Sequence, residues 1–272
     1  MSVPPIPLLP SPSVVPVDVS AVVATLRAAG CVFAEDEAQL LISTARDAAE
    51  LDAMIGCRVA GRPLEQVLGW AAFHGLRMAV DEGVFVPRRR SEFLVECAVA
   101  LAPPGAVVVD LCCGSGALGT AVLHALGGGE LHAADIEPAA VRCARRNVAI
   151  VGGQVYEGDL YTPLPAELRG RVDVLVANAP YVPTREIGLL PPEARDHEPL
   201  VALDGGTDGL DIQRRVTAGA ARWLAPGGVL LIETSERQAA RTAEAFARHG
   251  LAPRIEACEE LDATVVIGVR SA

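Results

Sequence analysis

The tetrapeptide Asn178-Ala179-Pro180-Tyr181 follows the apolar run Val172-Asp173-Val174-Leu175-Val176-Ala177 without a spacer. A run of that length, rich in β-branched residues, suits a strand buried on both faces, and in open α/β sheets ligands sit just past the carboxyl ends of such strands. The Asn178 side chain offers a carbonyl acceptor, and a residue in a proline-stiffened turn can aim its backbone carbonyl beside it. Together Asn178 and Ala179 make two acceptors for one NH2 group. Tyr181, held by the Pro180 turn, adds a flat face that can lie over a planar amide. Asn and Pro are also ordinary turn residues, so the tetrapeptide on its own weighs equally as a strand-to-loop turn.

A second constellation is Asp110-Leu111-Cys112-Cys113-Gly114-Ser115-Gly116-Ala117-Leu118-Gly119, a strand end, a tight glycine turn and a helix start. Its glycines allow close backbone approach to a ligand at a helix N-terminus. Asp135 ends the next apolar run 25 residues after Asp110 and can accept both hydroxyl protons of a ribose. Asp159, in Gly158-Asp159-Leu160 at the end of a third strand, can accept from an adenine amine while Leu160 packs on the ring; a plain turn aspartate reads equally well. The candidate cofactor set is therefore Asp110, Cys112, Cys113, Gly114, Ser115, Gly116, Asp135, Asp159, Leu160 and Asn178. The spacing Gly114, Gly116, Gly119 also satisfies G-x-G-x-x-G, which leaves a dinucleotide oxidoreductase open as a rival.

The elements that must position these groups read as follows. Residues 1–17 are apolar and Pro-rich without a charged start, which predicts a flexible tail rather than a signal peptide or a membrane span. Residues 18–62 carry helical periodicity at 19–29 and 37–55, with Asp18 as a cap, Gly30 as a stop and Glu35 or Asp36 opening the second helix. Residues 63–87 read as a linker. There Pro63 and Gly69 bracket a short helix, and runs 73–78 and 84–86 form a hairpin around the Asp81-Glu82-Gly83 turn. Arg88-Arg89-Arg90 reads as a solvated face leading to Ser91, a cap for a helix at 93–101. From residue 88 to 272, strands at 107–111, 131–135, 154–157, 172–177 and 228–233 alternate with helices near 117–127, 138–150, 208–224 and 236–249. Two more strands follow at 254–257 and 264–269. The alternation predicts an α/β fold with a mostly parallel seven-stranded sheet covered on both faces, and the short connection between the last two strands makes that pair antiparallel.

Composition narrows the partners. The 272-residue chain is 51% hydrophobic, ample for a buried core, and its formal net charge of −11 argues against a broad phosphate-binding face. All its Lys+Arg residues are arginine. Seven cysteines without a C-x-x-C pair fit a reducing cytoplasm, and five scattered histidines give no ligand spacing, so no metal is expected.

The fourth-strand tetrapeptide separates the rivals, because a hydride-transfer enzyme has no evident use for Asn-x-Pro-Tyr there, whereas a methyltransferase acting on a planar NH2 does. From about Pro63 to the C-terminus the chain resembles the HemK/PrmC family of Class I (Rossmann-like) S-adenosylmethionine-dependent methyltransferases. Pro63-Leu64-Glu65-Gln66-Val67-Leu68-Gly69, Phe85-Val86-Pro87-Arg88 and Glu92-Phe93-Leu94-Val95-Glu96 are similar to its linker and the start of its catalytic domain. Asn178-Ala179-Pro180-Tyr181 is similar to its N-P-P-Y signature. Glu198-Pro199, Ala202-Leu203-Asp204-Gly205-Gly206 and Asp208-Gly209-Leu210 resemble a family-specific loop.

The resemblance implies methyl transfer to the glutamine amide in the Gly-Gly-Gln tripeptide of peptide-chain release factors. It implies S-adenosylmethionine held by 112–116, Asp135, Leu160 and Asn178, and the glutamine amide held by 178–181. A nucleic-acid amine or a small-molecule amide is the alternative acceptor, and a non-catalytic cofactor-binding module the alternative class. Monomeric state and no stable nucleic-acid binding are expected. The chain departs from the family at three points: Cys112 stands where Gly is usual, Ala179 where Pro is usual, and the N-terminal helical unit is shorter.

Overall fold

The computed structural model describes residues 17–271; the tail expected at 1–17 lies almost wholly outside them. Two compact units divide at Leu68/Gly69. Among the described residues the first holds four helices: α1 (Val19–Ala28), α2 (Ala34–Thr44), α3 (Ala48–Val59) and α4 (Leu64–Leu68). Asp18 caps α1 by accepting from the Ser20 and Ala21 amides, and Gly30, at φ 94°, turns the chain out of it. The periodic stretch 37–55 is not one helix. It breaks after Thr44, and Asp47 caps α3 through the Glu50 amide. The second helix also opens earlier than expected, at Ala34, with Glu35, Asp36 and Glu37 all in its first turn, where negative charge meets the positive end of the helix dipole. Buried Glu37 accepts from Arg58 Nε at 2.6 Å, which ties α2 to α3.

The second unit begins with a hairpin of β1 (Trp70–Phe73) and β2 (Leu76–Ala79), in which Phe73 pairs with Leu76. The turn is therefore His74-Gly75 and not Asp81-Glu82-Gly83, and residues 84–86 are not a strand. His74 and Gly75 both have positive φ (47° and 74°), the requirement of a type I′ turn, which matches the twist of the flanking strands. The Asp-Glu-Gly signal was stronger on composition, but only the His-Gly turn brings two apolar runs into register.

Then come α5 (Glu92–Leu101), β3 (Val107–Leu111), α6 (Ala117–Leu126), β4 (Glu130–Asp135), α7 (Pro138–Val148), β5 (Gln154–Glu157) and β6 (Val172–Ala177). They are followed by α8 (Pro192–His197), α9 (Leu200–Leu203), α10 (Asp211–Ala220), β7 (Leu224–Thr234), α11 (Glu236–Arg248), β8 (Leu251–Cys258) and β9 (Ala263–Arg270). The seven strands lie in the order β5-β4-β3-β6-β7-β9-β8. All neighbours are parallel except at β9, which runs antiparallel to both β7 and β8. Strand order reverses between β3 and β6, so the crevice for a ligand falls beyond their carboxyl ends. Every residue of β3 is buried, and two apolar clusters, one on each face of the sheet, cover it.

Candidate active site

The register sets the site. Leu111 pairs with Ala134 on one side and Ala177 on the other, and Asp135 pairs with Glu157, so the turns at 112–116, 136–137, 158–160 and 178–181 leave the sheet side by side. Between them lies a cavity of about 450 Å³. It is lined by Asp110, Cys112, Cys113, Gly114, Ser115, Asp135, Asp159, Leu160, Asn178 and Pro180, together with Phe85, Ser91, Leu200 and Arg215.

The glycine turn uses left-handed backbone at Cys112 (φ 55°), Gly114 (φ 55°) and Gly116 (φ 74°). The glycines divide the work. A Cβ on Gly114 would enter the cavity, its nearest neighbour being Phe85 Cβ at 4.0 Å, whereas one on Gly116 would come within 2.9 Å of Val148 and one on Gly119 within 2.9 Å of Asp110 Cβ. Gly114 thus opens the cavity, while Gly116, which does not line it, and Gly119 let α6 pack against α7 and β3. The structure also explains why glycine is usual where Cys112 stands: the position is left-handed.

Asp110 is 1% exposed. Its Oδ2 accepts from the Gly119 amide at 2.8 Å, while Oδ1 is buried with no hydrogen-bond partner. Burial, with the Asp135 charge adding to it and the Gly119 hydrogen bond opposing, pushes the Asp110 carboxyl up to about 7. Asp135 accepts from Gly114 N–H at 2.8 Å and Glu137 N–H at 2.9 Å, one per oxygen, so its plane is fixed and each oxygen keeps a lone pair. Burial raises its pKa as well. Asp159 is not an isolated acceptor, since Oδ2 takes Arg215 Nη2 at 2.5 Å. Leu160, at φ 48°, is buried in the cavity wall. Burial pushes both the Cys112 and Cys113 thiols well up, so neither is a nucleophile at neutral pH.

A second cavity of about 290 Å³ lies across the tetrapeptide. Asn178, Pro180, Phe85 and Ala202 line both cavities, and Ala179, Tyr181, Arg88, Arg90 and Glu198 line the second one alone. Here the arginine run departs from expectation. Arg88 Nη2 donates to Glu198 Oε1, Arg90 Nη2 donates to Tyr181 Oη at 2.8 Å, and Arg90 Nε donates to Glu233 Oε1 at 3.2 Å. Two of the three arginines therefore hold site residues, although Arg90 stays 43% exposed. Ser91 makes no capping bond to α5; its Oγ accepts from Asn178 Nδ2 at 3.2 Å, which leaves the Asn178 carbonyl oxygen available to accept.

The loop after α9 supports the tetrapeptide from behind. Val182 exchanges hydrogen bonds with Leu203 and Gly205, and a Cβ would come within 2.7 Å of the Pro180 carbonyl oxygen at Gly205 and within 2.3 Å of that of Tyr181 at Gly209. Sequence reasoning offered neither Ser91, Arg90, Arg215 nor Glu233 as site residues. A charge closing the apolar run Val229-Leu230-Leu231-Ile232 was the signal for Glu233.

The observations suit one cofactor class. A buried carboxylate with an orphaned oxygen accommodates a cationic amine, a fixed carboxylate at the end of β4 suits a diol, and Leu160 supplies an apolar face for a base. With the seven-stranded order and β9 reversed, this defines a Class I methyltransferase that uses S-adenosylmethionine. Residues 76–189 match the family described as Methyltransferase small domain. The chain is 38% identical to the release factor glutamine methyltransferase of Mycolicibacterium smegmatis, over 85% of this chain and 88% of that one. It belongs to the release factor glutamine methyltransferase family. It is also 37% identical to the 4-amino-L-phenylalanine/4-methylamino-L-phenylalanine methyltransferase of Streptomyces pristinaespiralis, over 71% of this chain and 68% of that one. A methyltransferase structure from Pyrococcus furiosus shares the fold at 15% identity, with a TM-score of 0.56 over 73% of this chain and 90% of that one. No helix among the described residues is long and apolar enough to cross a membrane.

Proposed function

We propose that this chain methylates the side-chain amide nitrogen of a protein glutamine, that of the Gly-Gly-Gln tripeptide of a peptide-chain release factor, acting as a cytoplasmic monomer without stable nucleic-acid binding. The observation that carries the reading is the shared wall: Asn178 and Pro180 face the cofactor cavity on one side and the second cavity on the other. An acceptor in the second cavity therefore meets the cofactor at a wall that these two residues share with Phe85 and Ala202. S-adenosylmethionine supplies an electrophilic methyl group on a sulfonium.

The residues do the rest. An amide nitrogen is a poor nucleophile because its lone pair is delocalised into the carbonyl, so it must be aligned and its developing positive charge stabilised. Asn178 Oδ1 and the Ala179 carbonyl each accept one amide N–H, with Ser91 holding the other end of the Asn178 amide. Tyr181 flanks the amide plane. Asp110 and Asp135 hold the cofactor's amine and ribose, and Asp159 with Leu160 its base. The helical unit 18–62 recognises the release factor and 88–272 catalyses, while the stretch 63–87, read from the sequence as a linker, is divided at Leu68/Gly69, its hairpin belonging to the second unit.

A second reading has specific support in Ala179, which replaces the usual proline beside the acceptor, and in the aryl-amine methyltransferase among the relatives. Both offer a planar NH2. Incubation with labelled S-adenosylmethionine and either release factor or 4-amino-L-phenylalanine, followed by mass spectrometry, separates them. A methylated Gly-Gly-Gln glutamine supports the proposal, and label only on the small amine replaces it.

A further inference from the structure

Glu233 is an uncomfortable residue for the end of an apolar strand. It sits next to last in β7, directly after Leu230, Leu231 and Ile232, and is 1% exposed. Its Oε1 faces Arg90 Nε at 3.2 Å and Tyr181 Oη at 3.3 Å, while its Oε2 is buried with no hydrogen-bond partner. A carboxylate with one unsatisfied oxygen in such a place is a cost to folding, and an apolar residue of similar size there would pack without it. Structure alone gives no reason to keep it.

The direction of the hydrogen bonds supplies one. Arg90 has no lone pair and can only donate, and the carboxylate can only accept. Arg90 Nη2 donates to Tyr181 Oη at 2.8 Å, so the phenolic proton is left to point at Glu233 Oε1. With Arg90 Nε also on that oxygen, the three side chains close a ring in which each bond has one sense. The Tyr181 hydroxyl is thereby used up. It is not free to donate to an acceptor molecule or to take its proton, and burial pushes its pKa up to about 12. The main chain is pinned as well: Gln238 Nε2 donates to the Tyr181 carbonyl at 2.9 Å. Tyr181 works through its ring, and its hydroxyl is the handle by which the ring is held.

We infer that Glu233, acting with Arg90, is a positioning residue that fixes the Tyr181 ring as a wall of the acceptor cavity, kept at the expense of stability. This rests on the reading that residues 178–181 face the acceptor. It assigns work to a strand residue and to an arginine more than 140 positions apart in sequence, joined directly by a hydrogen bond.

The test uses the full chain and the variants E233M, R90M, R90K and Y181F, with kcat and KM for methyl transfer to release factor, thermal midpoints, and NMR of protein carrying 13C-labelled tyrosine rings. The Y181F spectrum identifies the Tyr181 signal. E233M, which removes the acceptor, is expected to lose about tenfold in kcat with KM changed less than about threefold, and to melt no lower than the parent. R90M should lose as much in kcat but melt lower, because it leaves the Glu233 carboxylate buried without its cation, and R90K should not restore the rate, because one ammonium lacks the planar fork that spans both partners. The Tyr181 ring signal should shift or broaden in E233M and R90M.

Full turnover in E233M with a lowered midpoint would show a merely structural role and overturn the inference. An unperturbed Tyr181 signal in both variants would overturn it whatever the acceptor. If the parent protein transfers no methyl to release factor, the acceptor reading fails on its own, and the tyrosine signal still decides whether Glu233 and Arg90 hold the ring.

Discussion

The two cavities that meet at Asn178 are built on different plans. On the cofactor side the decisive bonds close over short stretches: Gly119 to Asp110 across 9 residues and Gly114 to Asp135 across 21. On the acceptor side Tyr181 reaches Glu233 across 52, Arg88 reaches Glu198 across 110 and Arg90 reaches Glu233 across 143; the Asn178–Ser91 bond, across 87, lies in the shared wall. A site closed locally takes its geometry from a strand, a turn and a helix start. A site closed over long separations takes its geometry from the whole sheet, and can be retuned by residues far from it in sequence. The first kind serves one cofactor, and the second can serve different acceptors.

The sharpest way to break this division is Asn178→Ala, since Asn178 lies in both walls. Loss of a preorganised acceptor is expected to cost about 10²–10³ in turnover, with S-adenosylmethionine affinity falling far less. Initial rates and calorimetry on the same preparation check it, and equal losses in both would mean that the two walls are not separable.

Next in size is a pH effect confined to the cofactor side. Burial holds the Asp110 carboxyl at about 7 against an ordinary 3.8. Between those values the folded protein keeps a proton that the unfolded chain has lost, so the stability of the ligand-free protein falls as pH rises through this window. A cationic cofactor needs the ionised form. Its affinity should therefore climb by about tenfold per pH unit up to about 7 and level off above, and Asp110→Asn should flatten the curve. Calorimetry across the range decides it.

A smaller effect is expected at Ala179. Only its carbonyl is asked to act, so Ala179→Pro should keep turnover within about tenfold, roughly 1.4 kcal/mol of barrier. An inactive but folded variant would place the acceptor cavity with the aryl-amine relatives. The smallest concerns Cys112. Left-handed backbone costs a residue with a Cβ about 1–2 kcal/mol, and glycine's extra unfolded-state freedom returns about 0.5–1 kcal/mol of that. Cys112→Gly should thus raise stability by about 0.5–1 kcal/mol in denaturant titrations, with cofactor affinity unchanged.

The same division governs what could be read from sequence. The strands at 107–111, 154–157 and 172–177 and the glycine turn were legible, because β-branched runs and close-packed glycines leave local marks. So was the place of the tetrapeptide at the carboxyl end of β6. The hairpin was misplaced because His74 gives no hint that it will accept positive φ. Ser91 looked like a helix cap, as most serines before a helix do, and its partner 87 residues away could not be inferred from its neighbours. Arg88 and Arg90 were indistinguishable from Arg89 as letters; only their partners set them apart. On the cofactor side Arg215, which meets Asp159 across 56 residues, was out of reach for the same reason.

The seat beneath the tetrapeptide limits how such an enzyme can acquire new substrates. Gly205 and Gly209 press bare backbone against the carbonyls of Pro180 and Tyr181, leaving no room for even a methyl group. Innovation on that flank is closed, because any added atom would push the reacting residues out of line. The opposite flank, where Leu190, Pro191, Glu193 and Ala194 line the second cavity, carries no such restraint from glycine. A lineage drifting toward another amine would keep its Gly-Gly and Asp-Gly-Leu segments intact while rewriting residues 190–194, and a randomised library aimed at changing specificity should be spent there.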